Sequence, residues 1–373
     1  MNQDYPLTYC TNVHPGDTWV DVRRNLEDAL QVKRICFPDR TFPLGLRLSA
    51  SAAFEIDDTE LRRFTDWCDK YDCYVLTING FPYGSFHGTR VKETAYLPDW
   101  RDPRRAVYTM RLADILAQCP SLCGTASIST VPIAYRDGFA PEHWPIVKGY
   151  MLDVLAHLAH LRERGGPLIR LAIEPEPCCV LEQTREAIEF FERMNFPDAL
   201  AEHIGLCFDC CHQAVEFEEA AHCLEQLAQA RIPMAKVQLS SALRARGDKA
   251  IHLLKFDEPT YLHQAVARRK NGELQRFADL PDLARWLGSG EIPEECRVHF
   301  HVPIFLAELG GIETTRFFLE DLLPRLSPAT PLEVETYSFG VLPASLRLES
   351  LSHSIARELK WVKEVLDAAH GHH

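Results

Sequence analysis

Short apolar or β-branched runs alternate along this chain with longer segments of helical period, and no Gly/Ser- or Pro-rich linker interrupts them. Strands that alternate with helices along the chain commonly pair in parallel, so the order of elements argues for an α/β class before any single residue is considered. The runs fall at 7–13, 44–50, 72–80, 125–131, 168–177, 203–212, 234–242 and 331–337. Eight such strands with right-handed crossovers close most economically into a (β/α)8 TIM barrel, here one domain over 1–373. A doubly wound open sheet is the other arrangement. It calls for a glycine-rich phosphate turn after an early strand, which "YCTNVHPGD" does not supply.

The intervals give the helices. Asp17 is expected to cap a helix carrying Val20, Val22, Leu26 and Leu30, and others are expected from Asp102-Pro103, over 142–164, 182–194, 312–325 and 349–368. Two connections are long: "FPYGSFHGTRVKETAYLPDW" after the third strand, and an irregular insertion of about 243–296 after the seventh, followed by the β-like run "RVHFHVPIF".

At 46% hydrophobic residues the chain can fill a core of this size, and a formal charge of −13 with no basic run argues against a nucleic-acid partner. The start "MNQDYPLTYCTN" lacks the pattern of a signal peptide, and no apolar run reaches the length of a membrane span, so a cytoplasmic location is expected. An odd 13 cysteines fit a reduced compartment. The adjacent pairs Cys178-Cys179 and Cys210-Cys211 suit neither a disulfide nor a C-x-x-C zinc knuckle.

Barrel enzymes build their sites at the C-terminal strand ends. There the period of two puts Glu174 with Glu176, Glu333 with Glu335, Gln238 with Ser240, and His299 with His301 on common faces. Pro175 and Pro177 end the fifth strand and hold Glu174 extended. Asp209, with His212 one turn on, and Glu335 occupy the corresponding places on strands six and eight. Any one acid is as well read as the partner of a rim arginine or lysine. Three strand ends that agree point instead to a divalent cation, Mg²⁺ or Mn²⁺ for an oxygen-rich set, Zn²⁺ or Fe²⁺ where imidazole joins. His299 and His301 serve either as chelating rings or as pocket lining. Asn12 and His14, beside Tyr9, end the first strand near the pocket. Asn79, Tyr83, His87 and Lys92 belong to a loop able to cover it, and His263, in the insertion, is a weaker pocket candidate that can equally be packing; Ser240 and Glu333 are further pocket candidates. Cys211 and His212 are sequence neighbours that rarely face each other as a nucleophilic pair.

The stretches "IEPEP", "CFDCCH" and "LEVETY", in that order, resemble the xylose isomerase-like TIM barrel superfamily of sugar isomerases, sugar epimerases and apurinic-site endonucleases. That resemblance implies metal ligands at Glu174, Asp209, His212 and Glu335. Longer motifs, "LTYCTNVHPGDTW", "GSFHGTRVKETAYLPDW", "LAIEPEPCCVLEQT", "FDEPTYLHQ", "VHFHVPIF" and "LEVETYSFGVLP", are similar to the EboE family of the ebo metabolite-traffic operon. This second resemblance implies a part in moving or maturing a small-molecule precursor, with other proteins of that operon as partners. Two departures bear on chemistry. Gln238 stands where metal-binding relatives offer histidine, and Glu176 stands where xylose isomerases carry the lysine that polarises the sugar.

The reading that follows is a metabolite-binding barrel with a divalent metal, in which Glu174 or Glu335 moves a proton. The alternatives are a metal-dependent sugar isomerase or epimerase, a non-catalytic carrier and, last, an apurinic-site endonuclease, which the acidic balance disfavours. The terminal "HGHH" can itself capture metal.

Overall fold

The apolar runs become strands because each is bounded by a residue that ends it or caps the next helix. The computed structural model describes residues 5–88, 90–347 and 349–371, so Met1–Asp4 of the leading stretch, Thr89 of the long loop and His372–His373 of the tail lie outside the described residues. The first seven strands are β1 (Leu7–Tyr9), β2 (Phe42–Arg47), β3 (Cys73–Asn79), β4 (Thr125–Thr130), β5 (Leu168–Ile173), β6 (Ile204–Asp209) and β7 (Met234–Leu239). Six short strands follow: β8 (Leu243–Arg246), β9 (Ala265–Arg268), β10 (Leu274–Phe277), β11 (Glu295–Val298), β12 (Glu308–Leu309) and β13 (Ile312–Thr314). The strand β14 (Leu332–Val334) then returns to the first sheet.

That sheet has eight parallel strands in the order β1-β14-β7-β6-β5-β4-β3-β2, and a parallel bridge from Cys10 to Gly45 joins its two ends. The ring is therefore a nearly closed (β/α)8 barrel, as the alternation of elements requires. Helices Trp19–Cys36, Asp58–Tyr71, Pro103–Leu116, Trp144–Glu163, Thr184–Met194, Ala220–Gln229 and Leu351–His370 run between or after the strands. Their starts are set by side chains that satisfy free backbone donors. Thr18, one residue beyond the expected Asp17, forms a reciprocal capping box with Asp21, and Asp102 caps a helix whose first residue is Pro103.

Two expectations shift. The helix expected over 312–325 is confined to Arg316–Leu322, because Thr314 and Glu313 pair with β8 and Leu323–Arg325 tightens into a 3-10 turn at Pro324. The "RVHFHVPIF" run is extended only as far as Val298, and the two histidines lie beyond the strand.

The stretch after β7 is not irregular: β8–β13 form an antiparallel sheet in the order β10-β9-β11-β8-β13-β12. It has its own core, including Leu243, Phe256, Leu280, Leu283, Val298 and Phe300. Strands of four residues with charged positions, such as "LRAR" and "LQRF", carry too little alternation to stand out in a sequence. From the loop before β9, Tyr261 reaches back over the barrel mouth, where it packs against Phe86 and Tyr337.

Inside the barrel, below the mouth, Lys236 of β7 and Glu333 of β14 form an ion pair of 2.5 Å, both fully buried. Gly45 makes the room for it. A Cβ there would lie 2.0 Å from Glu333 Oε1 and 2.6 Å from the Tyr9 carbonyl oxygen. All 13 cysteines are free. Among the described residues no helix is long and apolar enough to cross a membrane.

Candidate metal centre

The C-terminal ends of β5, β6 and β14 bring Glu174, Asp209 and Glu335 together, each offering a carboxylate oxygen within 4.8 Å of the others. All three are buried. Burial first, then the neighbouring Glu335 carboxylate, pushes the Glu174 carboxyl well above its usual range. Burial and the charges of Asp209 and Glu333 push Glu335 up to about 8. Glu335 is nonetheless well supplied with donors: Asn12 at 2.6 Å and Asn79 at 3.1 Å give to Oε1, and the Gln238 amide gives to Oε2. By contrast, Glu174 Oε2 and Asn12 Oδ1 are buried without a partner among the described residues.

Beside the carboxylates stand three imidazoles, and their hydrogen bonds determine which nitrogen each presents. The Nδ1–H groups of His212, His299 and His301 point at the Pro175 carbonyl oxygen (2.8 Å), the Gln264 amide oxygen (2.8 Å) and the Glu335 main-chain oxygen (2.9 Å). Since each acceptor is a carbonyl oxygen, each ring must donate through Nδ1 and keep its lone pair on Nε2. The three Nε2 atoms converge, with His299 3.2 Å from His212 and 3.1 Å from His301.

Lone pairs in contact at these distances repel unless a proton or cation lies among them. Protonation is opposed here. Burial and the neighbouring rings lower His299 well below its ordinary value, and burial lowers His301 to about 4. A divalent cation relieves the conflict without that penalty, and a ring fixed through Nδ1 with Nε2 free is the usual geometry of a metal-binding histidine. Asp209 stands within 4.8 Å of His212 and His301 as well as in the carboxylate group, and Glu176 makes a corresponding set with His212 and His299. The donor set fits a metal, with nitrogen ligands that suit Zn²⁺ or Fe²⁺ and an oxygen set alongside that suits Mg²⁺ or Mn²⁺.

The remaining sequence-predicted residues occupy several places. Gln238 touches the centre from below: its amide nitrogen donates to Glu335 and, at 3.5 Å, to Asp209, while its oxygen accepts from the Cys207 thiol at 3.1 Å. It thus orients the carboxylates, with its oxygen engaged by the Cys207 thiol. Ser240 donates to Asp209 at 2.7 Å. Glu176 lines the cavity and accepts from Tyr96 at 2.7 Å. His263 is fully buried, bonded to the His299 carbonyl oxygen and to Glu258, both at 3.0 Å, and so holds the loop that carries His299. His87 contacts the Asn12 carbonyl oxygen at 2.6 Å and the Tyr261 hydroxyl at 3.0 Å, tying the long loop to the insertion.

Two predicted pocket residues lie elsewhere. His14 follows a 3-10 turn at Thr11–Val13 that carries it away from the mouth to Tyr9 (2.9 Å) and Asp28 (3.7 Å). Glu333 sits one layer below, against Lys236. Sequence reasoning missed the aromatic rim of Phe86, Tyr96, Tyr261 and Tyr337, and also Gln264. Lys236 gave one signal, a lone cation in the buried run "MAKVQL".

The last helix supports the centre from behind. Glu358 accepts from the Thr336 hydroxyl at 2.6 Å and the Ile304 amide at 3.1 Å, and burial pushes its carboxyl up to about 7 from 4.5. Between those values the native state holds more protons than the unfolded chain, so this group makes stability fall as pH rises through that window. The full span corresponds to about 3 kcal/mol. Glu358→Gln keeps an acceptor and is expected to remove most of that loss, measured by urea unfolding of both proteins at pH 5 and pH 7.5.

Neither a protein-family model nor a curated protein matches the sequence. Solved structures do resemble it. A xylose isomerase-like TIM barrel protein from Mycobacterium smegmatis, in complex with magnesium, is 13% identical, with 98% of this chain and 97% of that one covered and a TM-score of 0.54. A xylose isomerase domain protein from Planctomyces limnophilus is also 13% identical, with both chains fully covered and a TM-score of 0.53. At such identity the likeness is one of architecture: this chain has the xylose isomerase-like TIM-barrel fold.

Proposed function

We propose that the barrel mouth is the active site of a metal-dependent isomerase or epimerase acting on a small molecule that carries a hydroxyl beside a carbonyl. The observation that carries the reading is the convergence of three Nε2 lone pairs beside buried carboxylates. His212, His299 and His301, with Asp209, would hold the ion, a set that leaves coordination free for a ligand. A divalent ion there supplies Lewis acidity towards a carbonyl or hydroxyl oxygen.

The protein's own groups account for the rest. Glu174 has a free, buried Oε2 and a raised proton affinity, which suits a carboxylate that takes a proton from carbon and returns it. Glu335, held by Asn12, Asn79 and Gln238, suits the second proton position. Glu176 is fixed by Tyr96 and Gln264 and contributes negative charge where a xylose isomerase has lysine, so the lysine-assisted route of those enzymes is not the one proposed.

A second reading, an EboE-like carrier of a biosynthetic precursor, is favoured by the donors that Asn12, Asn79 and Gln238 give Glu335, because they hold that carboxylate without a metal. Protein truncated after Ala369, which removes the tail histidines, separates the two. The first reading expects about one tightly bound divalent ion per chain and exchange of a substrate C–H with deuterated water, followed by NMR. No ion bound when Zn²⁺, Mn²⁺ and Fe²⁺ are each supplied leaves the carrier.

A further inference from the structure

The floor of the cavity is polar, but its walls are not. Above the carboxylates and imidazoles the lining is Phe81, Pro82, Phe86, Val91, Ala95 and Leu262, with the rings of three tyrosines between them. The polar tips on these walls are engaged with protein. Tyr96 donates to Glu176, Tyr261 donates to the Phe86 carbonyl oxygen at 2.9 Å, and Lys92 is paired with Asp279. The Tyr337 hydroxyl stands 3.5 Å from His299 Nε2, back at the floor.

A sugar presents a hydroxyl at nearly every carbon, and each one buried against an apolar wall without a partner is unfavourable. The partnerless acceptors of this cavity, Glu174 Oε2 and Asn12 Oδ1, are both at the floor. One suits a transferable proton and the other a hydroxyl donor.

Resting on the proposed isomerase or epimerase reading, we infer that the substrate is polar at one end only: a hydroxyl and carbonyl on adjacent carbons, continuing into a flat aromatic or other unsaturated apolar body. The polar end sits at Asn12, Glu174 and the imidazoles. The apolar body lies between Phe81, Val91 and the rings of Phe86, Tyr261 and Tyr337, which pack as a cluster of centroids 5.0–5.3 Å apart. Free space is narrow, about 60 Å³. A ring-sized molecule therefore enters by parting Phe86 from Tyr261, which belong to different loops.

The test uses 2-hydroxyacetophenone and D-fructose as probes on protein truncated after Ala369, by calorimetry, with and without added Zn²⁺. The aryl hydroxyketone is expected to bind at least about tenfold tighter than the sugar, the preference that burying a ring's apolar area provides. Phe86→Ser, at the rim and outside the barrel core, is expected to reduce that preference several-fold. Equal affinities, a preference for fructose, or no binding of the aryl probe at millimolar concentration overturns the inference. Failure of the metal reading shows separately, as absence of heat in the Zn²⁺ titration, and the comparison of probes still decides the substrate class in the metal-free protein.

Discussion

Replacement of Asp209 by Asn is expected to lower affinity for a divalent cation by more than about 100-fold while leaving the fold in place. Changing a residue that merely orients a ligand typically costs 10- to about 100-fold in metal affinity, and Asp209 stands among the ligands themselves. It belongs both to the carboxylate group with Glu174 and Glu335 and to the imidazole group with His212 and His301. Its charge therefore serves both groups. Its second task is structural: Oδ1 accepts from the His212 amide at 2.9 Å and caps the helix Cys210–Val215. Asparagine caps a helix about as well as aspartate, so this task survives the exchange. Metal competition titrations and thermal unfolding with and without Zn²⁺ should therefore separate. The metal-free midpoint moves little, and the metal-dependent rise in midpoint, which follows from binding to the native state alone, disappears. An affinity within tenfold of the parent protein reduces Asp209 to a helix cap.

The parts of this centre that the sequence revealed are those governed by local period. Alternation along a strand places Glu174, Asp209 and Glu335 inward at strand ends whatever the details of the loops, and "IEPEP" stops its strand by the chemistry of proline alone. The same rule put Glu333 on the face of Glu335 but did not give its depth. Glu333 is two residues before Glu335, one layer lower, and meets a lysine that the search for acids and histidines passed over. His14 was misplaced because one 3-10 turn after β1 redirects the chain, and nothing in "TNVHPGD" distinguishes that turn from a continuing strand. The rim is assembled from Phe86, Tyr261 and Tyr337, far apart in sequence and each in a segment without period, so only the closed barrel shows that they meet. The tautomers of the three imidazoles depend on carbonyl oxygens of Pro175, Gln264 and Glu335, contacts that exist only in three dimensions.

The ion pair beneath the centre yields the second large effect. Lys236→Met alone is expected to destabilise the protein by about 3–5 kcal/mol, because it strands the Glu333 carboxylate in a fully buried site. Glu333 Oε1 already has no partner among the described residues, and Gly45 is needed to accommodate it. Burial works against the Lys236 ammonium, and the Glu333 charge overrides it, holding the lysine protonated well above its ordinary value. The double variant Lys236→Met with Glu333→Met keeps the volume and removes both charges. It is expected to return to within about 1 kcal/mol of the parent or to exceed it, as buried pairs replaced by apolar residues commonly do. Unfolding of the four proteins in guanidinium chloride gives the coupling directly. If the pair is dispensable for stability, its retention lies with the site above, since the Lys236 charge lowers the proton affinity of Glu174, whereas at Glu335 the opposing Glu333 charge outweighs it. The double variant should then be a well-folded protein that takes up metal less readily at neutral pH, because Glu174 holds a proton that the cation must displace. A double variant as unstable as Lys236→Met alone points instead to packing around Gly45 as the reason for this pair.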